Sequence, residues 1–466
     1  MKQLIISFFL CFSIVSAISA KITVPSIFSD NMVLQQNSEV AIWGWASPSE
    51  DIKIVSSWNK NDTVKIRCNN DAKWSTTIKT INAGGPYTIE IIGKSRLNLQ
   101  NIMLGEVWLC SGQSNMEWSI NSKIFNGEEE ASKAANPNIR IFHIQNIGAE
   151  YPQLNCNANW VAATTESVRN TSAVGYFFAR ELQRKLNVPV GIIVAAWGGT
   201  PAEPWIEKSR IETNADLDRF KNKVKVDWWP STPGRLYNSM IYPIAPYGIA
   251  GTIWYQGESN CVNHSVYSSL MKTLIENWRT DFKKEFPFYF VQIAPFDYKE
   301  KGKSEFLREQ QEMVLKSVPK TGMVVISDLV DDIKNIHPKN KIDVGKRLAN
   351  YALSETYSQN VGAYKSPMYE SFSIKKDKIT LNFSNVITGL KSMGKAPIKF
   401  MVADENRKFD LATAKIVGKQ IVLTSSIIKN PVAVRFCFDD TSMPDVFSTE
   451  GLPLAPFRTD HWDEVK

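Results

Sequence analysis

The chain has few cysteines and histidines, and beyond its first 20 residues it has no long hydrophobic run. Its 6 cysteines are scattered along the chain. Cys11 lies in an N-terminal stretch that we expect to be cleaved, which leaves an odd number of cysteines. An odd, scattered set argues against a disulfide framework but leaves room for one bridge. No later stretch reaches the roughly 20 consecutive apolar residues that a membrane-spanning helix needs. The 54 basic and 47 acidic residues are interspersed, which excludes the basic tail or stripe of a nucleic-acid-binding protein.

Only 4 histidines are present, which restricts the metal chemistry that the chain can perform. His143, His264 and His461 are isolated and lack the spacing of metal ligands, so the sequence predicts no catalytic zinc site. His337 differs because it lies in a polar loop, Asp331-Asp-Ile-Lys-Asn-Ile-His-Pro-Lys339, that follows an apolar run.

The first 20 residues have the pattern of a secretory signal peptide. Lys2 precedes the apolar stretch 4–15, and small residues follow at 16–20. We therefore expect a mature protein that starts near Lys21 and is exported, either to the periplasm or out of the cell.

Three regions with different periodicities follow the leader. Residues 21–100 contain short alternating runs between turn residues, which predicts a β-sandwich-like domain. Residues 101–360 alternate apolar strands with longer helical patterns, which predicts a parallel sheet flanked by helices. Within this region, the polar residues 207–233 are interpreted as an insertion over the functional site. Short strands return in residues 361–466 and predict a C-terminal β region. The spacing in the middle region predicts helices at 174–186, 267–282, 306–318 and 343–353, and strands at 188–194, 288–293 and 323–327.

An apolar run that ends in Gly112-Gln-Ser-Asn-Met116 is the most informative segment. A strand that ends in this way presents the Ser114 hydroxyl at the carboxyl edge of a sheet, where backbone amides are free to face a substrate oxyanion. Gln113 and Asn115 add polar groups beside this hydroxyl. The pattern is not the Gly-x-Ser-x-Gly elbow, because Met116 stands in place of the second glycine.

Three further polar segments follow predicted strands and reach the same edge of the sheet. Gly198 and Gly199 allow backbone amides to approach a ligand closely. The segment 251–260 brings Gln256 to this edge, and the loop described above brings His337. A serine hydroxyl is a weak nucleophile until a neighbouring imidazole accepts its proton, so these segments together indicate nucleophilic catalysis.

The arrangement resembles the SGNH hydrolases, whose flavodoxin-like three-layer α/β/α fold uses an early serine and a late Asp/His loop. Longer strings resemble the sialate O-acetylesterase family within that group, and this similarity covers most of the mature chain. These strings are residues 29–36 (SDNMVLQQ), 105–118 (GEVWLCSGQSNMEW), 197–205 (WGGTPAEPW), 236–241 (LYNSMI) and 254–260 (WYQGESN).

The resemblance implies an exported enzyme that removes O-acetyl esters from carbohydrates without a metal or organic cofactor. It implies that Ser114 is the nucleophile and His337 the general base. The oxyanion would be bound by the Ser114 amide together with Gly198 or Gly199 and Gln256.

The acid of a catalytic triad is where the chain departs from the family pattern. SGNH enzymes often carry an aspartate three residues before the histidine, but Lys334 occupies that position here. We favour Asp332 as the acid, with Asp331, Asp328 or a backbone carbonyl as alternatives. A Ser/His dyad also remains open.

Two other polar residues have two interpretations each. Glu258 either orients the oxyanion hole or hydrogen-bonds a neighbouring loop, and Arg235 either faces an acidic sugar or forms a buried ion pair. Three functions are compatible with these motifs: hydrolysis of O-acetylated sialic acid, which we favour, deacetylation of xylan or another plant polysaccharide, and non-catalytic carbohydrate binding. A nucleophile together with a base argues against the last. The sequence does not indicate the oligomeric state.

Overall fold

The protein is described by a computed structural model that covers residues 21–221, 229–299 and 303–462. The expected signal peptide lies outside the described residues, as do residues 222–228 of the predicted insertion. No helix within the described ranges is long and apolar enough to cross a membrane. The cysteines at positions 68, 110, 156, 261 and 437 are all free thiols.

Seven strands build the N-terminal part of the molecule. They are β1 (Val33–Gln35), β2 (Glu39–Trp45), β3 (Asp51–Ser56), β4 (Thr63–Arg67), β5 (Lys73–Lys79), β6 (Gly84–Ile92) and β7 (Arg96–Gly112). In β2, Val40 and Ile42 are buried, while the residues next to them in the chain are more exposed. This is the period of two that the sequence indicated. Strand β2 pairs antiparallel with β5, and β3 pairs antiparallel with both β4 and β6.

Strand β7 connects two parts of the fold. Its first half pairs antiparallel with β6, and its second half, 106–112, pairs parallel with two later strands. The predicted domain boundary at residues 100 and 101 therefore falls inside one strand of 17 residues.

The middle region alternates strands and helices. Its strands are β8 (Asn136–His143), β9 (Trp160–Ala163), β10 (Val190–Ala196), β11 (Gly251–Tyr255), β12 (Phe288–Val291) and β13 (Thr321–Val324). Its helices are α1 (Ser114–Glu117), α2 (Gly127–Ser132), α3 (Thr165–Arg169), α4 (Ala173–Leu186), α5 (Lys208–Glu212), α6 (Tyr267–Asp281), α7 (Ser304–Ser317) and α8 (Lys341–Glu355). Short 3-10 helices span Ile120–Ser122, Glu203–Trp205, Ala215–Phe220, Tyr242–Ile244 and Glu258–Val266, and a π-helix spans Tyr237–Ile241. The four predicted helices correspond to α4, α6, α7 and α8. The strand predicted at 323–327 corresponds to β13, which ends three residues earlier than predicted.

The strands of this region form one sheet in the order β13-β12-β11-β7-β10-β8-β9, in which only β9 runs antiparallel to its neighbour. Alternate side chains of β7 point to opposite faces: Trp108 and Cys110 join a core with α4 and α8, and Val107 and Leu109 join a core with α6 and α7. The mixed α/β class with separate β sheets is therefore confirmed. Part of the predicted insertion also enters a core, because Leu217 is fully buried.

The order of the strands places a crevice at the end of β7. After β7 the chain builds β8, β9 and β10 on one side and then crosses to β11 on the other. In open α/β sheets, ligands bind outside the carboxyl ends of the strands at such a reversal. Gly112 of β7 lies level with Ala196 of β10 and Tyr255 of β11, so the segments after these strands start at the same height.

The described residues after 361 contain strands and no helix. These strands are β14 (Met368–Lys375), β15 (Lys378–Ser384), β16 (Leu390–Ser392), β17 (Phe400–Ala403), β18 (Phe409–Leu411), β19 (Thr413–Val417), β20 (Gln420–Thr424), β21 (Ala433–Phe436), β22 (Val446–Ser448) and β23 (Phe457–Arg458). Two four-stranded sheets and one pair of strands share a core that includes Leu381, Phe400, Leu423 and Val434.

Candidate active site

The turn after β7 carries the candidate nucleophile. Gly112 has φ +142°, and a Cβ atom there would lie 2.1 Å from the carbonyl oxygen of Tyr255. Only glycine fits this position, because the ends of β7 and β11 approach each other so closely. Ser114 follows as the first residue of α1, is half-buried, and its backbone N–H makes no hydrogen bond to another described residue.

His337 lies beside this serine, although 223 positions separate the two residues. The distance from His337 Nε2 to Ser114 Oγ is 2.9 Å. The His337 backbone N–H donates to Asn335 Oδ1 at 3.0 Å, and the Trp118 ring stacks on the imidazole with 4.2 Å between ring centres. Burial, and secondarily the positive charge of Lys341, lowers the pKa of His337 to about 4. The imidazole is therefore neutral near pH 7 and able to accept a proton.

Two of the three candidate acids form ion pairs elsewhere. Asp328 accepts two hydrogen bonds from the guanidinium of Arg347, at 2.7 and 2.6 Å. Asp331 accepts the backbone N–H of Lys339 at 3.2 Å and pairs with its ammonium group at 3.5 Å. Both carboxylates are thus committed to partners other than the imidazole.

Asp332, the acid favoured from the sequence, accepts the backbone N–H of Lys334 at 2.9 Å and is exposed. Within the described ranges, no hydrogen bond or ion pair joins any carboxylate to His337. The geometry is therefore that of a serine and histidine pair, and the acid expected from the sequence has no counterpart in it.

The glycine segment after β10 lies against the nucleophile. A Cβ atom on Gly198 would lie 3.3 Å from Ser114 Cβ, and the Gly198 N–H donates to Glu117 Oε2 at 2.6 Å. The other oxygen of Glu117 accepts a hydrogen bond from Asn146 Nδ2 at 2.6 Å. The N–H of Gly199, which has φ +72°, makes no hydrogen bond to another described residue. Gly199 therefore has an amide free for a ligand, whereas the amide of Gly198 is engaged.

Gln256 follows β11 but has no amide hydrogen left to donate to a substrate oxyanion. Its Nε2 donates to Asn260 Oδ1 at 2.7 Å and to the Thr200 carbonyl at 3.3 Å, and its Oε1 accepts from the Tyr267 hydroxyl at 2.9 Å. Both amide hydrogens are used, and the side chain is fully buried. Gln256 therefore braces the loop after β10 in this structure, which differs from the oxyanion contact expected from the sequence.

Gln113 also links two segments of the site. Its Oε1 accepts the backbone N–H groups of Gly257 and Ser259 at 3.4 and 3.3 Å. These contacts hold the segment after β11 against the turn that carries the candidate nucleophile.

A buried polar cluster, formed by Asn115, Glu258 and Lys341, lies next to the serine and histidine pair. Asn115 Nδ2 donates to Glu258 Oε1 at 2.6 Å, and Lys341 Nζ donates to Asn115 Oδ1 at 2.5 Å. Burial raises the pKa of Glu258 and lowers the pKa of Lys341 to about 7. Of the two interpretations of Glu258, the structure shows a hydrogen bond to a neighbouring segment, which is helix α1 and not a loop.

Arg235 forms an ion pair, but its partner Glu150 is 49% exposed, so the pair is not the buried one that one interpretation expected. Its guanidinium lies 3.3 Å from Glu150 Oε1, and its side chain is 16% exposed. Arg235 Nε is buried and has no hydrogen-bond partner among the described residues. A Cβ atom on Gly148 would lie 3.5 Å from Pro230 and 3.6 Å from Arg235 Nε, and Trp229 lies against Gly199. The described end of the predicted insertion thus reaches the glycine segment.

Three residues of the site are not identified by the sequence patterns: Glu117, Trp118 and Lys341. Glu117 and Trp118 end the family-like string 105–118, so the string itself was the signal for them. Lys341 lies four residues after His337, and a lysine near a helix start gives no indication of burial. Among the described residues, no three His, Cys, Asp or Glu side chains are placed to hold a metal ion together.

Comparisons with known proteins agree on one family. The family model described as carbohydrate esterase, sialic acid-specific acetylesterase, matches residues 104–354. The chain is 30% identical to the sialate O-acetylesterase of Homo sapiens over 398 residues, which cover 77% of this chain and 76% of the relative. It is 28% identical to that of Mus musculus over 425 residues, which cover 77% and 78%. The crystal structure of a carbohydrate acetylesterase from Xanthomonas citri is similar over 95% of this chain and 100% of that chain, with a TM-score of 0.87 and 32% identity.

Proposed function

Since the chain belongs to the sialic acid-specific acetylesterase family of carbohydrate esterases, and is an esterase, we propose that it hydrolyses O-acetylated sialic acid through an acetyl-enzyme on Ser114. The observation that carries this mechanism is the 2.9 Å distance between His337 Nε2 and Ser114 Oγ. A general base must lie within hydrogen-bond reach of the proton that it removes, and this distance satisfies that condition.

In the first half of the reaction, Ser114 Oγ attacks the acetyl carbonyl carbon while its proton passes to His337 Nε2. The carbonyl π electrons move to the oxygen, which becomes an oxyanion. When the tetrahedral intermediate collapses, the bond to the sugar oxygen breaks and His337 returns the proton to that oxygen. The products of this half are the free sugar hydroxyl and acetylated Ser114.

In the second half, water replaces the serine as nucleophile. His337 accepts a proton from the water, the water oxygen bonds to the acetyl carbon, and the Ser114 ester bond breaks as Oγ recovers the proton. Acetic acid leaves, releases its proton to solvent to become acetate, and the enzyme is regenerated. The lowered pKa of His337 supports both halves, because the imidazole must be neutral at the start of each.

The oxyanion is bound by the backbone N–H groups of Ser114 and Gly199, which have no partner among the described residues. Preorganised donors of this kind each contribute roughly 2.7–4 kcal/mol to transition-state stabilisation. Gly198 has a different role, because a Cβ atom at this position would crowd Ser114 and Glu117. The absence of a side chain leaves room for both residues.

We propose that His337 works without a carboxylate partner. The imidazolium that forms during attack lies against the face of Trp118, whose negative quadrupole favours a cation. Asp332 stays in solvent and caps its own loop. We therefore propose that the mechanism uses the Ser/His dyad that the sequence left open.

The finer assignments of fold and location are part of the same proposal. We assign the catalytic region, residues 101–360, to the SGNH type because the serine and histidine meet at the reversal of strand order in a three-layer unit. Residues 21–100 and 361–466 are assigned as flanking β domains. The leader pattern of residues 1–20 supports export.

The proposal is tested by release of acetate from O-acetylated sialic acid, acetylated xylan and a chromogenic acetate. We expect release from the first and the third, and loss of both in Ser114→Ala, with the exposed Ser132→Ala as a matched control that keeps full activity. Activity on xylan alone would place the enzyme among polysaccharide deacetylases. Undiminished activity of Ser114→Ala would contradict the mechanism.

A further inference from the structure

The buried polar cluster connects the two reactive residues through their chain neighbours. Asn115 follows Ser114 in the chain, and Ile336 precedes His337. Asn115 Nδ2 donates to the Ile336 carbonyl at 3.0 Å, in addition to its bond with Glu258. One side-chain amide therefore links the turn of the nucleophile to the loop of the base.

The orientation of this amide is determined by its partners. Lys341 Nζ has only donors, so it requires the oxygen of Asn115, whereas the Ile336 carbonyl accepts only and requires the nitrogen. The Glu258 carboxylate at 2.6 Å takes the second amide hydrogen. An inverted Asn115 would lose all of these bonds, so the side chain has one stable position.

The cluster is costly to bury, which argues for a purpose beyond packing. Asn115 and Lys341 are 0% exposed and Glu258 is 7% exposed. Taking a lysine and a carboxylate out of water costs several kcal/mol per ion unless each is well paired. The two are bridged by Asn115, and Glu258 Oε2 has no hydrogen-bond partner in the part of the chain that the structure describes. An apolar trio would suffice if the site needed only to be filled.

Lys341 also faces the aromatic rings around the base. Its Nζ lies 5.5 Å from the centre of the Trp118 ring and 5.3 Å from that of Tyr255. Trp118 stacks on His337. The other charged groups that act on Lys341 are Glu258 and, more weakly, Asp331.

On the basis of the proposed function, we propose that Asn115 is a positioning residue that sets the distance between Ser114 and His337. It is held in one orientation by Lys341 and Glu258, and Lys341 acts on His337 through its positive charge. The contact from Asn115 to the Ile336 carbonyl fixes the loop of the base, which is the orienting task that a triad carboxylate has in other serine hydrolases. Burial is the larger reason that the base stays neutral, and the charge of Lys341 adds to it by disfavouring a second positive charge on the imidazole.

The charge effect is tested with Lys341→Met, which preserves volume, against Lys346→Met, an exposed lysine of the same helix α8. We would follow the titration of His337 by NMR on histidine-labelled protein, assigned with His337→Ala, and the acid limb of kcat/KM on a chromogenic acetate. Lys341→Met should raise both midpoints by roughly one pH unit, and Lys346→Met should move neither. An unmoved NMR titration in folded Lys341→Met overturns the charge effect.

The positioning effect is tested with Asn115→Asp, which keeps the shape and the acceptor for Lys341 but loses both donors. We expect kcat to fall by about 10²-fold with KM nearly unchanged, because misplacement of about 1 Å costs that much. An unchanged kcat overturns the positioning role. If the folded wild-type protein released no acetate from any ester, the proposed function would fail, while the NMR titration would still decide the part of Lys341.

Discussion

Replacing Asp332 with Asn should leave kcat within about threefold of the wild-type value, because substitutions of exposed groups change free energies by about 0.5 kcal/mol. Asp332 is exposed, accepts the Lys334 N–H, and forms no hydrogen bond or ion pair with His337 within the described ranges. A carboxylate that orients the histidine of a triad has a very different effect, since its conversion to an amide lowers kcat by about 10⁴-fold. The two mechanisms therefore differ by more than three orders of magnitude in one measurement.

The matched variant is Asp328→Asn, which should affect stability more than turnover. The Asp328 and Arg347 side chains are 13% and 14% exposed and share two hydrogen bonds. Removing one partner of such a pair costs about 3 kcal/mol of folding free energy. We expect a lower denaturation midpoint for Asp328→Asn, with kcat retained in the folded fraction.

The assay is turnover of a chromogenic acetate at saturating substrate, with urea unfolding of each variant monitored by tryptophan fluorescence. If folded Asp332→Asn lost turnover by roughly 10³-fold or more, the dyad would be refuted and the triad restored. The same loss in Asp328→Asn, at unchanged stability, would make that residue the acid.

Three further outcomes are expected. Because the pKa of His337 is lowered to about 4, the base stays neutral above that value. We therefore expect kcat/KM to persist down to about pH 5 and to be lost as the pH falls through 4. An acid limb near the reference value of about 6.5 would contradict this expectation. Gly112→Ala should destabilise the fold by roughly 3 kcal/mol or more, because the added Cβ would meet the Tyr255 carbonyl. Gly418 also has positive φ but has open space around it, so Gly418→Ala should cost about 1 kcal/mol. Equal denaturation midpoints of the two variants would contradict the close approach at Gly112. EDTA should leave acetate release unchanged, because nucleophile and base are both side chains, and a loss reversed by added metal would overturn that mechanism.

Much of the fold could be predicted because local patterns carry it. Apolar residues recur with a helical period in α4 and alternate in β2, and α4 lies within one residue of its predicted bounds. The place of Ser114 at the end of β7 followed from the same reasoning. The boundary at residue 100 did not, since alternation along a strand does not reveal where the strand exchanges one partner for another.

The sequence by itself determined the α/β class and the family, and it proposed Ser114 and His337 as the reactive pair, because a strand end followed by a polar segment is a local signal. Only the tertiary structure showed the partners of Asp328, Asp331 and Asp332. The sequence favoured Asp332 without excluding the other two, and the positions of Arg347 and Lys339 decide which carboxylates form ion pairs. The burial of Lys341 was likewise decided by rings from two other segments, Trp118 and Tyr255. Pairing and burial depend on groups that are distant in the chain, and no local pattern records them.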